Sequence, residues 1–216
     1  MKKHIVCFGD SNTHGYCGDG NCADGGLRFN EDERWTMLLQ QKLGSDYLII
    51  EEGLNSRTCC FDDPLNEGLK GLDYISPCLR THSPVDLLII MLGTNDCKER
   101  FAASAACIGR AMGRLVKKAM DTDCWANAKP NILLIAPPHI KEGIKQHPFW
   151  PTTGEGCIEK SQQLAEYYKQ QSEFLGCHFM DAQGLTEFND TDCMHLTKKG
   201  HSMLAEILYE KTIELI

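Results

Sequence analysis

The chain has 216 residues, which predicts a single domain over residues 1–216, and its 30 acidic and 22 basic side chains give a formal net charge of −8. This charge has the wrong sign for neutralising the phosphates of DNA or RNA, so we expect no nucleic-acid partner. No segment approaches the run of about 18 apolar residues that a membrane span requires, and the N-terminal apolar run is too short for a signal peptide, so we expect a cytoplasmic protein with no membrane partner.

Five apolar segments of strand length alternate with longer segments that show helical spacing. In chain order, the predicted strands are residues 4–8, 47–51, 86–92, 131–136 and 177–181. The predicted helices, with apolar residues three or four positions apart, are residues 31–43, 98–120, 158–175 and 198–216. Gly44 and Gly176 follow two of these helices, where a left-handed C-cap is common, and Thr197 precedes the last helix as a candidate N-cap.

The predicted strands are nearly continuous runs of Ile and Leu, which indicates that both faces of the sheet are covered. Alternation of strands with helices then predicts an α/β fold of three α/β/α layers around a mostly parallel five-stranded sheet. In open sheets of this class, ligands bind beyond the carboxyl ends of the strands. Two long loops, residues 17–30 and about 137–154, are expected to form lids or pocket walls there.

The cysteine and glycine patterns predict neither a metal nor a cofactor. The twelve cysteines are scattered, without a C-x-x-C pair, and reduced thiols of this kind serve mainly as small buried hydrophobic groups. Cys17 and Cys22 approach zinc-ligand spacing, but no second pair accompanies them, and His139 and His147 lack close partner ligands. The glycine-rich segment 15–26 contains no phosphate-binding motif.

Side chains suited to acyl transfer occupy the positions that follow the strands. Ser11 follows the first strand, Ser56 the second and Asn95 the third, whereas Asp192 and His195 lie immediately before the last helix. A serine hydroxyl needs an imidazole to take its proton, and the imidazole needs a carboxylate to orient it. Ser11 alone is equally compatible with a turn or an N-cap, but the rest of the set favours a nucleophile.

The segments that carry these residues resemble the SGNH (GDSL) hydrolase family. "FGDSNT", "EEGLNSRT", "IIMLGTNDCK" and "DCMHLTKKGH" occur in the order of the family's sequence blocks. The resemblance implies a flavodoxin-like sheet. Together with "RWTMLLQQKLG", these segments are most similar to the arylesterase and acyltransferase branch, whose members cleave short-chain esters and pass the acyl group to alcohols or peroxide.

The resemblance also implies a role for each matching residue. Ser11 matches the nucleophile, His195 the general base and Asp192 the carboxylate that orients it. The oxyanion hole would consist of the backbone N–H of Ser11, the backbone N–H of Ser56 and the side-chain amide of Asn95. Many family members have glycine at the position of Ser56, and a serine serves equally well if its backbone adopts the required conformation.

Nearby residues offer alternatives for two of these roles. His201 competes with His195 and Asp190 competes with Asp192, but a buried or solvated role is more typical of a histidine inside the last helix. Asp10 and Asp96 are expected to make structural hydrogen bonds, and Arg34 an ion pair at the surface or a helix end. Four residues are candidates for lining the substrate pocket, although core packing explains the aromatic ones equally well: Tyr16, Asn55, Phe149 and Trp150.

We therefore predict a serine esterase that forms an acyl-enzyme and acts on a small-molecule ester. Alternative substrates for the same machinery are sugar acetates, acyl-CoA thioesters and lysophospholipids. A ligand-binding protein that keeps the fold without catalysis is an alternative of another class. The resemblance to oligomeric relatives also implies a homo-oligomer.

Overall fold

Five parallel strands form one sheet in the order β2-β1-β3-β4-β5. The computed structural model describes residues 1–216. The strand bounds are β1 (Lys3–Gly9), β2 (Tyr47–Gly53), β3 (Leu87–Met91), β4 (Ile132–Ala136) and β5 (His178–Asp181). All five predicted strands are present, and the prediction of a parallel α/β sheet is confirmed.

Seven α-helices accompany the sheet. They are α1 (Ser11–His14), α2 (Trp35–Leu43), α3 (Gly71–Thr81), α4 (Ala105–Met120), α5 (Trp150–Thr153), α6 (Cys157–Leu175) and α7 (Lys198–Leu215). Two short 3-10 helices, Glu99–Phe101 and Glu142–Gln146, lie in connecting segments. None of the helices combines the length and the apolar character that crossing a membrane requires.

Each face of the sheet is covered by its own hydrophobic core. Val6 and Phe8 of β1 face a cluster of 29 buried residues, to which α3, α4 and α6 contribute. Ile5 and Cys7 of the same strand face a cluster of 18 buried residues, to which α2 and α7 contribute. Successive strand residues point to opposite faces, so a continuous apolar strand supplies both cores. With both faces covered, we expect a ligand to bind beyond the carboxyl ends of the strands, as in other open α/β sheets.

Two predicted helices begin later in the chain than expected. The helix predicted from residue 98 begins at Ala105, because Ser104 caps it by accepting a hydrogen bond from the N–H of Cys107 at 3.2 Å. Ala102, with a φ of 50°, separates this helix from the preceding 3-10 turn. The helix predicted from residue 31 begins at Trp35, after a turn.

Helix α3 was missed by the sequence analysis. It begins at Gly71 and contains Pro77, and both residues are typical of helix ends and turns rather than helix interiors. Tertiary packing overrides these weak helix formers, since Ile75, Cys78 and Leu79 are all buried in the larger core.

The cysteines also serve packing: all twelve are free thiols, and nine of them are buried.

Candidate active site

Ser11 lies just beyond the carboxyl end of the interior strand β1, as the first residue of helix α1. Asp10 caps this helix, with Oδ1 accepting a hydrogen bond from the N–H of Asn12 at 2.9 Å. The turn needs glycine at position 9, since a Cβ there would lie 2.0 Å from Oγ1 of Thr13. Ser11 is therefore not the helix cap, and its Oγ lies 2.8 Å from Nε2 of His195.

His195 connects Ser11 to a buried carboxylate. Its Nδ1 lies 2.7 Å from Oδ2 of Asp192, and the other oxygen of Asp192 accepts hydrogen bonds from Asn189 and from the N–H groups of Met194 and His195. Burial acts to raise the pKa of Asp192, but these hydrogen bonds outweigh it and hold the pKa below its usual value. The ionised carboxylate holds the proton of the neutral ring on Nδ1, so that Nε2 can accept the proton of Ser11.

The residues that compete for these roles lie elsewhere. Asp190 forms an exposed ion pair with Lys141 at 2.6 Å. His201 is fully buried, and its Nδ1 accepts a hydrogen bond from the N–H of Trp35 at 3.2 Å. One chain of hydrogen bonds therefore joins the hydroxyl of Ser11, the imidazole of His195 and the carboxylate of Asp192.

Asn12 is a positioning residue that the sequence analysis missed. Its Nδ2 donates to the carbonyl of Met194 at 3.0 Å, and its Oδ1 accepts from the N–H of Leu196 at 2.9 Å. The buried side chain therefore holds the backbone on both sides of His195. The only signal in the sequence is that an asparagine directly follows Ser11, and nothing there indicates contact with a segment more than 180 residues away.

We expect Asn12→Leu to lower kcat by about 10²-fold, since displacing a catalytic group by about 1 Å has effects of that size. Asn12→Asp keeps the acceptor for Leu196 and loses the donor to Met194, so it should retain more activity than the leucine variant. Steady-state kinetics with thermal unfolding of each variant as a folding control provide the measurement. A fully folded Asn12→Leu variant with the wild-type kcat would show that this contact does not position His195.

Three N–H groups are available to hold an oxyanion beside Ser11. The backbone N–H groups of Ser11 and Ser56 donate to no acceptor within the chain. One N–H of the Asn95 amide donates to the carbonyl of Arg57 at 3.1 Å, which fixes the amide and leaves its second N–H free. All three donor residues line the same cavity, so they are candidates for stabilising a developing negative charge on a carbonyl oxygen there.

Ser56 has a φ of 63°, in the left-handed region that glycine adopts most readily. Its backbone N–H has no acceptor within the chain, and the residue lines the cavity. The neighbouring loop is anchored by Asp96, whose Oδ1 accepts hydrogen bonds from the N–H and the thiol of Cys59. Asp96 therefore makes a structural contact between the loops that follow β2 and β3.

If Ser56 acts through its backbone N–H, Ser56→Gly should keep kcat within a few-fold of the wild type, because glycine keeps that donor and adopts the same φ without strain. Asn95→Ala is the contrasting variant, and removal of its amide should lower kcat by about 10²- to 10³-fold. Hydrolysis of 4-nitrophenyl acetate measures both. A loss of 10²-fold in Ser56→Gly would assign the oxyanion contact to the serine hydroxyl instead.

The three candidate oxyanion donors and His195 line a cavity of about 310 Å³. Of the four predicted pocket residues, Tyr16, Asn55 and Phe149 line it, and the Tyr16 ring lies 4.6 Å from the His195 ring. Trp150 does not line it and packs against the larger core. Phe149, Thr152 and Thr153 line the cavity from this short helical turn, whereas Trp150 contacts the core.

Arg34 forms ion pairs at the N-terminal end of α2, which is the helix-end form of its prediction, although it is buried rather than at the surface. It is the residue before α2, but only 4% of it is exposed. Its Nε lies 2.7 Å from Oε1 of Glu51 on β2, and its Nη2 lies 3.1 Å from Glu31. These ion pairs offset the cost of removing the guanidinium from water. Because Glu51 belongs to β2, Arg34 links the start of α2 to the sheet.

The buried imidazole of His201 makes stability sensitive to acid. Burial, reinforced by the nearby charges of His195 and Arg34, lowers the pKa of His201 to about 3. Between the ordinary imidazole pKa of about 6.5 and this value, the unfolded chain takes up a proton that the folded chain does not, so stability falls as the pH falls.

We expect the free energy of unfolding to fall more steeply between pH 6.5 and pH 4 in the wild type than in His201→Asn. The difference between the two slopes should be about 1.4 kcal/mol per pH unit at most, which corresponds to one proton. Urea unfolding of both proteins across this range isolates the contribution of residue 201 from that of other titrating groups. Parallel pH dependences in the two proteins would contradict the assignment.

One group of potential metal ligands lies outside the catalytic cavity. Oε1 of Glu52 lies 2.8 Å from Nε2 of His82, and the thiol of Cys78 completes a set whose ligand atoms lie within 4.8 Å of one another. None of the three lines the cavity of Ser11. The hydrogen bond between Glu52 and His82 and the burial of Cys78 account for this group as a packing contact.

Comparison with known proteins gives matches over nearly the whole chain. Residues 7–203 match the model of the GDSL-like lipase/acylhydrolase family. The aryl esterase of M. smegmatis is 36% identical, with a TM-score of 0.90 over 99% of this chain and 100% of that chain. A carbohydrate acetylesterase from Sinorhizobium meliloti is 32% identical, with a TM-score of 0.89 over 100% of both chains. A search of curated protein sequences gave no match.

These matches confirm the resemblance seen in the sequence and the fold that it implied. The family match covers well over half of the chain, and both solved relatives align along its full length. The chain belongs to the GDSL-like lipase/acylhydrolase family and is a carboxylic ester hydrolase.

Proposed function

We propose that the enzyme hydrolyses short-chain esters through an acyl-enzyme on Ser11. The observation that carries this proposal is the chain of hydrogen bonds from Ser11 Oγ through His195 to Asp192, with distances of 2.8 Å and 2.7 Å. Nucleophile, base and orienting carboxylate are thereby connected in a single buried line.

In the first step, Ser11 Oγ attacks the ester carbonyl while Nε2 of His195 takes the hydroxyl proton. The carbonyl oxygen becomes an oxyanion, which the N–H groups of Ser11, Ser56 and Asn95 stabilise by about 3–4 kcal/mol per donor. The intermediate collapses as the C–O bond to the alcohol breaks and His195 returns the proton to the departing oxygen. The products of this step are the free alcohol and the acyl-enzyme.

In the second step, water attacks the acyl-enzyme with His195 as the base, and the acid and Ser11 are released. An alcohol in place of water would yield a new ester, which is the acyl-transfer reaction that the resemblance implies. The enzyme uses the same residues in both reactions, so the ratio of transfer to hydrolysis depends on the competition between the two acceptors.

The size and lining of the cavity support a small substrate. A volume of about 310 Å³ is at the lower end of the range for ligand pockets. Tyr16 and Phe149 supply apolar surface for an aryl group, in line with the aryl esterase relative. Asn55, Asn66 and Thr152 also line the cavity, and these hydrogen-bonding groups make a sugar acetate the second candidate, in line with the acetylesterase relative.

A series of 4-nitrophenyl esters from C2 to C12, assayed with and without an added alcohol, tests the proposal. We expect kcat/KM to be highest for C2 to C4 and to fall for longer chains that exceed the cavity. Release of acetate from phenyl acetate and from an acetylated monosaccharide distinguishes the two candidate alcohols. A maximum at C8 or above would contradict the short-chain assignment.

A further inference from the structure

The catalytic cavity is basic, although the protein as a whole is acidic. The chain has 30 acidic and 22 basic residues. Among the 14 residues that line the cavity, however, Lys98 and Arg100 are basic and none is acidic. Such a local reversal of sign concentrates and orients negatively charged ligands.

Arg100 is neutralised by a buried carboxylate. Its Nη2 lies 2.6 Å from Oδ2 of Asp63 and its Nε 3.1 Å from Oδ1, a bidentate pair. Its Nη1 donates to the carbonyl of Thr152 at 2.6 Å. The side chain of Asp63 is fully buried beneath this pair. Arg100 is therefore held as part of the cavity wall, with its charge already compensated.

Lys98 has no such partner. Its side chain is half-buried, lines the cavity, and makes neither a hydrogen bond nor an ion pair within the chain. Its backbone N–H donates to the carbonyl of Asn95 at 3.1 Å, so it lies on the same turn as an oxyanion donor. Lys98 therefore lines the same cavity as Ser11 and Asn95 with an unpaired charge.

Lys98 is largely protonated at neutral pH. Burial and the like charge of Arg100 lower its pKa to about 8, against the opposing effects of Asp63, Asp10 and Asp96. None of these three carboxylates lines the cavity, and Asp63 is paired with Arg100. An ammonium group that is partly desolvated without a partner is unfavourable, and a substrate anion would relieve this cost.

We propose that the enzyme prefers esters that carry a carboxylate, and that the ammonium of Lys98 binds this carboxylate in the catalytic cavity. The inference rests on the proposed function and specifies its substrate class. Asn66 and Thr152, which line the same cavity, supply further polar groups around the bound carboxylate. Neutral esters of the same size lack the ion pair and gain less from binding.

Two matched pairs of esters test the preference and locate the carboxylate. 3-Acetoxybenzoate and its methyl ester place the charge on the alcohol side. Mono-4-nitrophenyl adipate and 4-nitrophenyl hexanoate place it on the acyl side. For each pair we measure kcat/KM and take the ratio of the charged to the neutral ester, because the fraction of active enzyme cancels within each preparation.

We expect Lys98→Met to lower this ratio about tenfold in at least one pair, since one close charge pair is lost. Lys98→Arg should keep the preference because it keeps the charge. Lys169→Met, an exposed change on α6 with the same loss of charge, is the matched control and should leave the ratio unchanged. Added salt should weaken the wild-type preference without affecting Lys98→Met.

The pH dependence provides an independent readout. Because the pKa of Lys98 is about 8, the wild-type ratio should fall as the pH rises from 7 to 9, whereas the ratio of Lys98→Arg should not. A ratio in Lys98→Met within twofold of the wild type for both pairs would overturn the inference. Hydrolysis of the neutral esters that depends on Ser11 would then leave the proposed function standing, and no hydrolysis of any ester would refute both.

Discussion

Ser11→Ala should hydrolyse 4-nitrophenyl acetate with a kcat at least about 10³-fold below that of the wild type. The hydroxyl that lies 2.8 Å from Nε2 of His195 is the only protein group in the proposed mechanism that forms a bond to carbon, and alanine removes it. The variant should retain some acceleration over the uncatalysed reaction, because the oxyanion donors remain in place.

Ser45→Ala is the matched control for this variant. Ser45 is exposed between α2 and β2 and does not line the cavity, so its loss should leave kcat unchanged. The same thermal unfolding temperature in both variants would show that the fold is retained. Turnover by a folded Ser11→Ala enzyme within tenfold of the wild type would rule out Ser11 as the nucleophile.

Asp192→Asn is expected to lower kcat by about 10³- to 10⁴-fold with little effect on KM. An asparagine amide at this position can donate to Nδ1 of His195, which places the ring proton on Nε2 and prevents that nitrogen from accepting the proton of Ser11. Unlike removal of the nucleophile, this change leaves the hydroxyl in place and acts through the tautomer of the base.

Asp190→Asn is the matched control, since it makes the same chemical change two residues earlier. Asp190 is exposed and pairs with Lys141, away from the imidazole of His195. We expect wild-type kinetics from this variant. A larger loss of kcat in Asp190→Asn than in Asp192→Asn would mean that the wrong carboxylate has been assigned to the base.

The sequence was sufficient to predict the sheet and the order of the polar residues along its edge. Continuous apolar strands such as β3 and β4 report burial on both faces, and the parallel topology then places the ends of β1, β2 and β3 at one edge. Ser11, Ser56 and Asn95 each follow one of these strands, so the strand predictions alone indicated that the three residues lie at the same end of the sheet. The distances that join Ser11 to His195 required the fold, because 184 residues separate the two.

The features that were not predicted depend on contacts between distant segments. Pro77 argues locally against the helix that packing imposes on α3. The aromatic character of Trp150 was compatible with both a pocket and a core, and its packing against the larger core is a property of the folded chain. Asn12 and Lys98 have ordinary local sequence contexts. The contact of Asn12 with the His195 segment and the unpaired charge of Lys98 in the cavity are properties of the folded chain.

Covalent labelling by a fluorophosphonate, with the modified residue located by peptide mass spectrometry, tests the central claim most directly. Our account predicts a single adduct on the peptide that contains Ser11, absent in Ser11→Ala and formed far more slowly in His195→Ala. An adduct on another serine, or no adduct with an enzyme that still hydrolyses esters, would contradict it.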